Sequence, residues 1–474
     1  MSAARHINQV VLIVAVSLLC LHPSFSQSTT VSPVQVGVVT EKVVIPSHPD
    51  QSYAVYLPTN YTPDHSWPIV FCLDPRARGK TAIEHFVVGA EKYGYVVMCS
   101  NNSRNGLNWS LISDIFSNFW DDAHSRFNID VKRTYAAGFS GGSRLASTFA
   151  SKCQGCLAGV IGCGAGFPGE IEPNPKAPFA YFGIVGVDDF NFGEMWQLEK
   201  KFNNLTTPYH FETFSGGHEW PPRENIEQAL AWLRLREIKP STTTVDKNFL
   251  EDQLKLRLTT AEKLLASQQF VDAQRAFVSV VQDFQGLIDI ADAKKKAEQL
   301  SKSGELKKAV VADEELYRRQ LREAGEIRML WMKPAEPDDT GLSHSEVTSR
   351  LSELKKKRDL TTDSRDRRLA RRILTQLTIE SYEAAQASLR SSDYSPALVN
   401  LQLVEEIDPK SPNVSYEVAR VYALKRQKKP ALQSLEKAVS LGFKDGSRLK
   451  TDDAFNSLTD EPRFQKLLTT LTAQ

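Results

Sequence analysis

The amino-acid sequence predicts an α/β domain with a mostly parallel sheet, followed by an all-helical region. Apolar strand-like runs alternate with helix-forming runs from residue 34 to residue 238, as in a sheet with helices on both faces. The segment 239–245, rich in threonine, is interpreted as a linker. Residues 246–474 lack strand-like runs and are dominated by helix-forming residues.

The elements of the first part are predicted from the length and polarity of each run. The run 69–73 is fully apolar, which is typical of a parallel strand buried on both faces. The longer runs between strands have the composition of amphipathic helices. Strands are predicted at 36–45, 53–57, 69–73, 95–99, 135–139, 157–163, 179–185 and 210–214, and helices at 82–93, 113–127, after residue 140, and at 194–202 and 225–236.

The pentapeptide 138–142 joins a predicted strand to a predicted helix and has the pattern G-x-S-x-G, with Ser140 at its centre. Flanking glycines let strand and helix approach closely without a Cβ clash. The sharp turn exposes the serine hydroxyl at a strained backbone position, next to a helix N-terminus that favours negative charge. The alternative interpretation is a turn without chemistry, because the bare pattern is common.

A serine nucleophile needs an adjacent base that is oriented by a third group. His218 follows the last predicted strand on a loop with two glycines, at the edge where strands end. His210, by contrast, lies within a strand run and is interpreted as structural. Asp188 and Asp189 both follow the strand 179–185 and are candidates for the orienting acid.

These motifs occur in the order serine, aspartate, histidine, and residues 34–238 therefore resemble a minimal α/β-hydrolase. The region is similar to bacterial esterases related to feruloyl esterases and polyhydroxyalkanoate depolymerases. In such proteins the acid commonly occupies the fourth position of a G-x-x-D turn, so the resemblance implies Asp189. Asp188 remains the alternative, and its other role would be to cap the turn.

The resemblance also implies an oxyanion hole of two backbone N–H groups. One is expected from Gly141, directly after the nucleophile, and the other from the loop 74–79. The family usually has His-Gly in this loop, and this chain departs from it. Because Pro75 has no N–H, Arg76 is the expected donor, with Ala77 next.

The connection 164–177 is short where larger α/β-hydrolases insert a lid, so the sequence predicts an open cleft. Trp109 and Trp220 are candidate substrate-binding walls, although each could equally be a packing residue. Arg76 and Arg78 could meet an anionic substrate group or lie on the surface.

The helical region contains an internal repeat of 34 residues that resembles the tetratricopeptide repeat. Small residues are spaced as two crossing helices require, most clearly in residues 379–443 and less clearly in 254–287. The resemblance implies an independent module that binds a protein partner. The recurring positions are Ala385, Ala397, Leu401 and Val404, then Ala419, Ala431, Leu435 and Ala438, and earlier Ala261, Ala273, Phe277 and Val280.

The N-terminus predicts export. Arg5 and His6 precede the apolar run 10–21, and small residues near Ser26 suit a signal peptidase, so residues 1–26 are expected to be a cleaved signal peptide. The apolar run is too short to span a bilayer, which predicts no stable membrane insertion. The mature protein would be periplasmic or secreted.

Composition restricts the partners further. The formal net charge of +1 gives no general attraction to nucleic acid. No cysteine and histidine spacing suggests a metal site, and neither metal nor cofactor is expected. A disulfide between Cys153 and Cys156 is plausible in an exported protein, whereas Cys72, Cys99 and Cys163 are expected to be buried thiols.

The sequence thus predicts an exported serine hydrolase that acts on a small-molecule or polymer-borne carboxylic ester. A peptidase or a thioesterase on the same fold is an alternative, because triad geometry does not choose the leaving group. A hydrolase-like scaffold that has lost activity and acts through its repeats is the alternative from another class.

Overall fold

The computed structural model describes residues 34–153, 155–169, 171–173, 179–238, 246–333 and 342–472. The predicted signal peptide 1–26 and the linker 239–245 lie outside the described residues. The chain from Val34 onward forms one compact unit, in which an α/β part is followed by a helical part.

An eight-stranded sheet organises the α/β part, as the alternating sequence pattern predicts. Its strand order is β1-β2-β4-β3-β5-β6-β7-β8. The pairs β1–β2 and β2–β4 are antiparallel, and the pairs from β4–β3 to β7–β8 are parallel. The parallel strands therefore end at one common edge. The strands are β1 (Val39–Ile45), β2 (His48–Tyr56), β3 (Trp67–Leu73), β4 (Val96–Ser100), β5 (Ile129–Phe139), β6 (Gly159–Cys163), β7 (Ala180–Gly186) and β8 (Tyr209–Phe214).

Five helices cover the two faces of the sheet. Alternate residues of β3 lie on opposite faces of the sheet, since Phe71 belongs to one apolar core while Val70 and Cys72 belong to the other. The core around Phe71 includes α2, α3 and α4, and the other core includes α1 and α5. These helices are α1 (Gly79–Tyr93), α2 (Trp109–Arg126), α3 (Gly141–Lys152), α4 (Phe192–Phe202) and α5 (Arg223–Glu237).

The described residues from 246 to 472 form helices and their connections, with no strand among them. All twelve positions of the predicted repeat are at most 2% exposed. The helices are α6 (Lys247–Ala266), α7 (Phe270–Phe284), α8 (Ala291–Lys302), α9 (Gly304–Met332), α10 (Leu342–Arg358), α11 (Arg365–Arg390), α12 (Tyr394–Ile407), α13 (Pro412–Leu424), α14 (Lys428–Ser440), α15 (Gly446–Thr451) and α16 (Pro462–Thr472), with a 3₁₀ turn at Asp453–Leu458.

The helical part packs directly on α5 and β8 through a buried ionic network. Asp283 of α7 is 3% exposed and accepts hydrogen bonds from Trp232 Nε1 at 2.8 Å and Arg257 Nη1 at 2.7 Å. His210 of β8 lies 3.3 Å from the same carboxylate, which confirms its structural position. Burial opposes ionisation of Asp283, but His210 and Arg257 outweigh it and hold its pKa below the ordinary value.

This interface also has an apolar component, in which Leu235 of α5 joins Phe249, Val280 and Phe284. A helical module that is independent of the α/β part would not share a core with it. The expectation of an independent module is therefore wrong: the two parts are joined by buried contacts on both sides of the segment 239–245.

The described cysteines divide as the sequence suggests. The sulfur atoms of Cys153 and Cys156 are bonded to each other. Cys72, Cys99 and Cys163 are free and buried. Among the described residues, no helix is both long and apolar enough to cross a bilayer.

Candidate active site

Ser140 lies on a sharp turn between β5 and α3, with φ 52° and ψ −120°. Positive φ is strained for a residue with a side chain. Two of the flanking glycines are required by close approach of the backbone. A Cβ at Gly138 would lie 2.2 Å from the carbonyl carbon of Gly142, and one at Gly142 would lie 2.0 Å from the oxygen of Leu73. The local sequence therefore builds the sharp serine turn that it predicts.

Ser140, His218 and Asp189 are joined by hydrogen bonds at the carboxyl edge of the sheet. Ser140 Oγ lies 2.8 Å from His218 Nε2, and His218 Nδ1 lies 2.9 Å from both carboxylate oxygens of Asp189. Because a carboxylate only accepts, Nδ1 is the donor and Nε2 accepts from the serine hydroxyl. The sequence placed these residues on three separate loops, and the fold brings them together.

Asp189 is fully buried, and its surroundings favour its interaction with the imidazole. Burial raises the pKa of Asp189 above its ordinary value, while His218 and the positive charge of Arg372 offset part of that effect. The backbone N–H of Asn191 donates to Asp189 Oδ1 at 2.8 Å and fixes the carboxylate plane.

The neighbouring Asp188 has a different partner. Its Oδ2 accepts a hydrogen bond from Arg371 Nη1 at 2.6 Å, and Arg371 belongs to α11 of the helical part. Of the two aspartates that follow β7, Asp189 thus contacts His218 and Asp188 ties the loop to α11.

The predicted oxyanion donors have unequal surroundings. Gly141 begins α3, where the first N–H groups have no partner within the helix. The N–H of Arg76 instead donates to Asp74 Oδ1 at 2.8 Å, and the N–H of Ala77 donates to Asp74 O at 3.1 Å. Both predicted second donors are therefore occupied, and this geometry does not support the assignment to Arg76.

The buried carboxylate of Asp74 explains this departure. It accepts hydrogen bonds from Arg78 Nη2 at 2.8 Å and Trp220 Nε1 at 2.9 Å. Burial opposes ionisation, but these bonds outweigh it and hold the pKa of Asp74 below its ordinary value. The loop after β3 is consequently organised around its own carboxylate.

Asn105 lies against the serine turn and was missed by the sequence interpretation. A Cβ at Gly141 would lie 1.9 Å from Asn105 Oδ1 and 3.0 Å from Asn105 Nδ2. One N–H of this amide donates to Glu383 Oε1 of α11 at 2.9 Å. The available signal was the polar run 101–105, which directly follows β4 at the edge where the loops of Ser140, Asp189 and His218 meet.

A cavity of about 1500 Å³ opens above Ser140 and His218. Its far wall comes from the helical part, so the expectation of an open cleft without a lid is wrong. The short connection 164–177 did not reveal this wall, because α9 and α11 lie more than 120 residues further along the chain. The helical residues that line it include Tyr317, Gln320, Tyr382, Glu383, Gln386 and Arg390.

The two predicted tryptophan walls have different outcomes. Trp220 lines the cavity but is 7% exposed, and its indole is stacked on His85 and bonded to Asp74. Trp109 is not among the residues that line the cavity; its ring packs 5.4 Å from that of Phe149. Trp109 as a cleft wall is therefore wrong.

The helical part also contacts the loop that carries Asp189. Gln320 Nε2 of α9 donates to Phe190 O at 2.8 Å. Tyr317 lies so close to Gly193 that a Cβ there would be 1.9 Å from its ring. Within the described ranges, no group of three His, Cys, Asp or Glu side chains could hold a metal ion.

The strand order and the serine turn between β5 and α3 give residues 34–238 the α/β-hydrolase fold. No family model and no curated protein matches the sequence.

Several solved structures are similar to part of the chain. An S-formylglutathione hydrolase from Staphylococcus aureus is 17% identical, covering 39% of this chain and 90% of that protein, with a TM-score of 0.33. A ferulic acid esterase is 16% identical, covering 39% and 91%, with a TM-score of 0.31. A hyperthermophilic esterase from the archaeon Pyrobaculum calidifontis is 12% identical, covering 43% and 88%, with a TM-score of 0.35.

Proposed function

We propose that the protein is a serine hydrolase of carboxylic esters, with Ser140 as nucleophile, His218 as general base and Asp189 as the orienting acid. The observation that carries this proposal is the unbroken chain of hydrogen bonds from Ser140 through His218 to Asp189. It also argues against an inactive scaffold, because such a protein would have no need to keep a strained serine paired with a histidine.

The geometry suits acyl transfer in two stages. Ser140 Oγ attacks the ester carbonyl while His218 Nε2 takes its proton, and a tetrahedral oxyanion forms. The oxyanion collapses, the alcohol leaves with the proton from His218, and an acyl-serine remains. Water then attacks the acyl-serine as His218 takes its proton, and a second collapse releases the carboxylic acid and returns the proton to Ser140.

For the oxyanion we propose the N–H of Gly141 together with the side-chain amide of Asn105. The side-chain amide of Asn105 lies against Gly141, with its oxygen nearer than its nitrogen, and that nitrogen has a second N–H besides the one bonded to Glu383. A side-chain amide can serve this role in place of a backbone donor. This arrangement replaces the expected contribution of Arg76, whose N–H is bonded to Asp74.

Asn105→Ala is expected to lower kcat by about 10²–10³-fold with little change in KM, because an oxyanion donor acts in the transition state. The control is Asn118→Ala, since Asn118 bonds to Gln51 and does not line the cavity. Steady-state kinetics on a p-nitrophenyl ester measure both variants. Unchanged kcat in Asn105→Ala would remove Asn105 from the oxyanion hole.

The two aspartates give a second, internally controlled comparison. Asp189→Asn is expected to lower kcat by about 10⁴-fold, because the histidine loses the partner that fixes its tautomer. Asp188→Asn weakens only the contact with Arg371 and should cost far less. The reverse ranking in the same ester assay would overturn the assignment of Asp189.

The cavity suggests the kind of ester. Its volume of about 1500 Å³ exceeds the 300–1,000 Å³ typical of small-molecule sites, and charged pairs such as Arg144–Glu194 line it. We therefore propose a bulky, polar ester, from a small molecule or a polymer. No observation favours a peptide or thioester over an oxygen ester.

Export and partner binding are proposals supported by the sequence pattern. Removal of residues 1–26 would leave Gln27 or a neighbour as the N-terminus of the exported protein, which mass spectrometry of that form would show. A retained Met1 would contradict export by cleavage.

The repeat helices in residues 379–443 are the proposed protein-binding element. A pull-down that compares wild-type protein with a variant whose charges on the outer face of these helices are reversed would test this proposal.

A further inference from the structure

Arg372 of α11 is a charged side chain that is almost completely buried beside the proposed triad. Its exposed fraction is 3%, and its guanidinium lies 4.1 Å from the centre of the Phe192 ring. Burial lowers the pKa of Arg372 to about 10, and the carboxylate of Asp313 opposes this shift. The side chain is therefore still cationic at neutral pH, and burying that charge is costly unless it is well bonded.

Within the part of the chain that the structure describes, Arg372 donates its hydrogen bonds to the loop after β7. Its Nε donates to Val187 O at 3.0 Å, and its Nη2 donates to the same oxygen. Val187 is two residues before Asp189, so the guanidinium holds the backbone that leads into the carboxylate. The adjacent Arg371 bonds to Asp188 of the same loop.

The loop after β7 is also tied to the strand and loop that lead to His218. Val187 N donates to Phe214 O and Asp188 N donates to Gly216 O, both at 2.9 Å. The backbone N–H of Val187 thus faces the histidine side, and its carbonyl faces α11. Displacement of that carbonyl would move Asp189 relative to His218.

We propose that Arg372 is a positioning residue for Asp189: the helical part inserts its guanidinium to fix the loop that orients the catalytic base. This inference rests on the proposed function. It assigns the helical part a role in catalysis that is separate from any protein partner. The residue does not touch the reacting atoms, and it acts through Val187 and Asp189.

The test compares Arg372→Met and Arg372→Lys with wild type in full-length protein, using a p-nitrophenyl ester. Each kcat is calculated from the concentration of active sites, which is measured by letting a fluorophosphonate label the protein to completion. Misfolded protein is thereby excluded from the concentration. Arg372→Met should lower kcat about 100-fold with KM within about twofold, as expected when a catalytic group is misplaced by about 1 Å. Arg372→Lys keeps the charge but not the paired contact, and should lose only about tenfold.

Arg350→Met is the matched control, because Arg350 of α10 pairs with Glu326 and Glu346, and none of these three residues lines the cavity. It should keep the kcat of wild type. Wild-type kcat per labelled site in either Arg372 variant, or a loss confined to KM, would overturn the inference. If Arg372→Met does not fold, the Lys variant decides alone. Wild-type protein that neither labels nor hydrolyses would instead overturn the proposed function itself.

Discussion

Replacing Ser140 with alanine is expected to lower kcat for ester hydrolysis by about 10⁶-fold, as removal of a triad serine does elsewhere. The reason is the loss of the atom placed to attack, since Oγ is the group bonded to His218 Nε2. KM should change little, because the cavity walls stay in place. Hydrolysis of a p-nitrophenyl ester by purified full-length protein measures both quantities.

The control for this variant is Ser110→Ala, because Ser110 is exposed on α2. It should retain wild-type kinetics. Residual activity in Ser140→Ala within tenfold of wild type would show that the measured hydrolysis does not use this serine.

Removal of the helical part is also expected to have a large effect. A chain that ends at Ile238 should be insoluble, or should lose at least about 100-fold in kcat/KM, which is about 2.7 kcal/mol of transition-state stabilisation. It would lose Arg372 from the loop of Asp189 and the helical wall from the cavity. It would also expose Trp232 and Leu235, which are fully buried.

Full-length protein cut at a protease site placed between residues 239 and 245 is the matched control. It has the same chain break, and it keeps every buried contact between the two parts. It should remain soluble and active. A soluble 34–238 fragment with the full-length kcat/KM would contradict the account and restore the independent module.

The sequence predicted those parts of the site that depend on local chemistry. The turn at Ser140 could be predicted from its glycines, because a side chain at Gly138 or Gly142 would clash with the backbone. The sheet could be predicted from apolar runs such as β3. His218 and Asp189 could be expected near Ser140 because each follows a strand that ends at the same edge.

The sequence did not predict the contacts that join distant parts of the chain. No local feature of the sequence indicates that Arg372 reaches Val187, 185 residues earlier. The same applies to Asn105, whose position depends on Glu383. Arg76 was misassigned because the bond from its N–H to the side chain of Asp74 depends on how the loop folds.

The most direct test of the central claim is the site of phosphonylation when full-length protein reacts with a fluorophosphonate. A serine activated by His218 and Asp189 reacts covalently, and an ordinary serine does not. We expect one phosphonyl group per chain, located on Ser140 by peptide mass spectrometry. Absence of modification, or modification of another serine, would contradict the account.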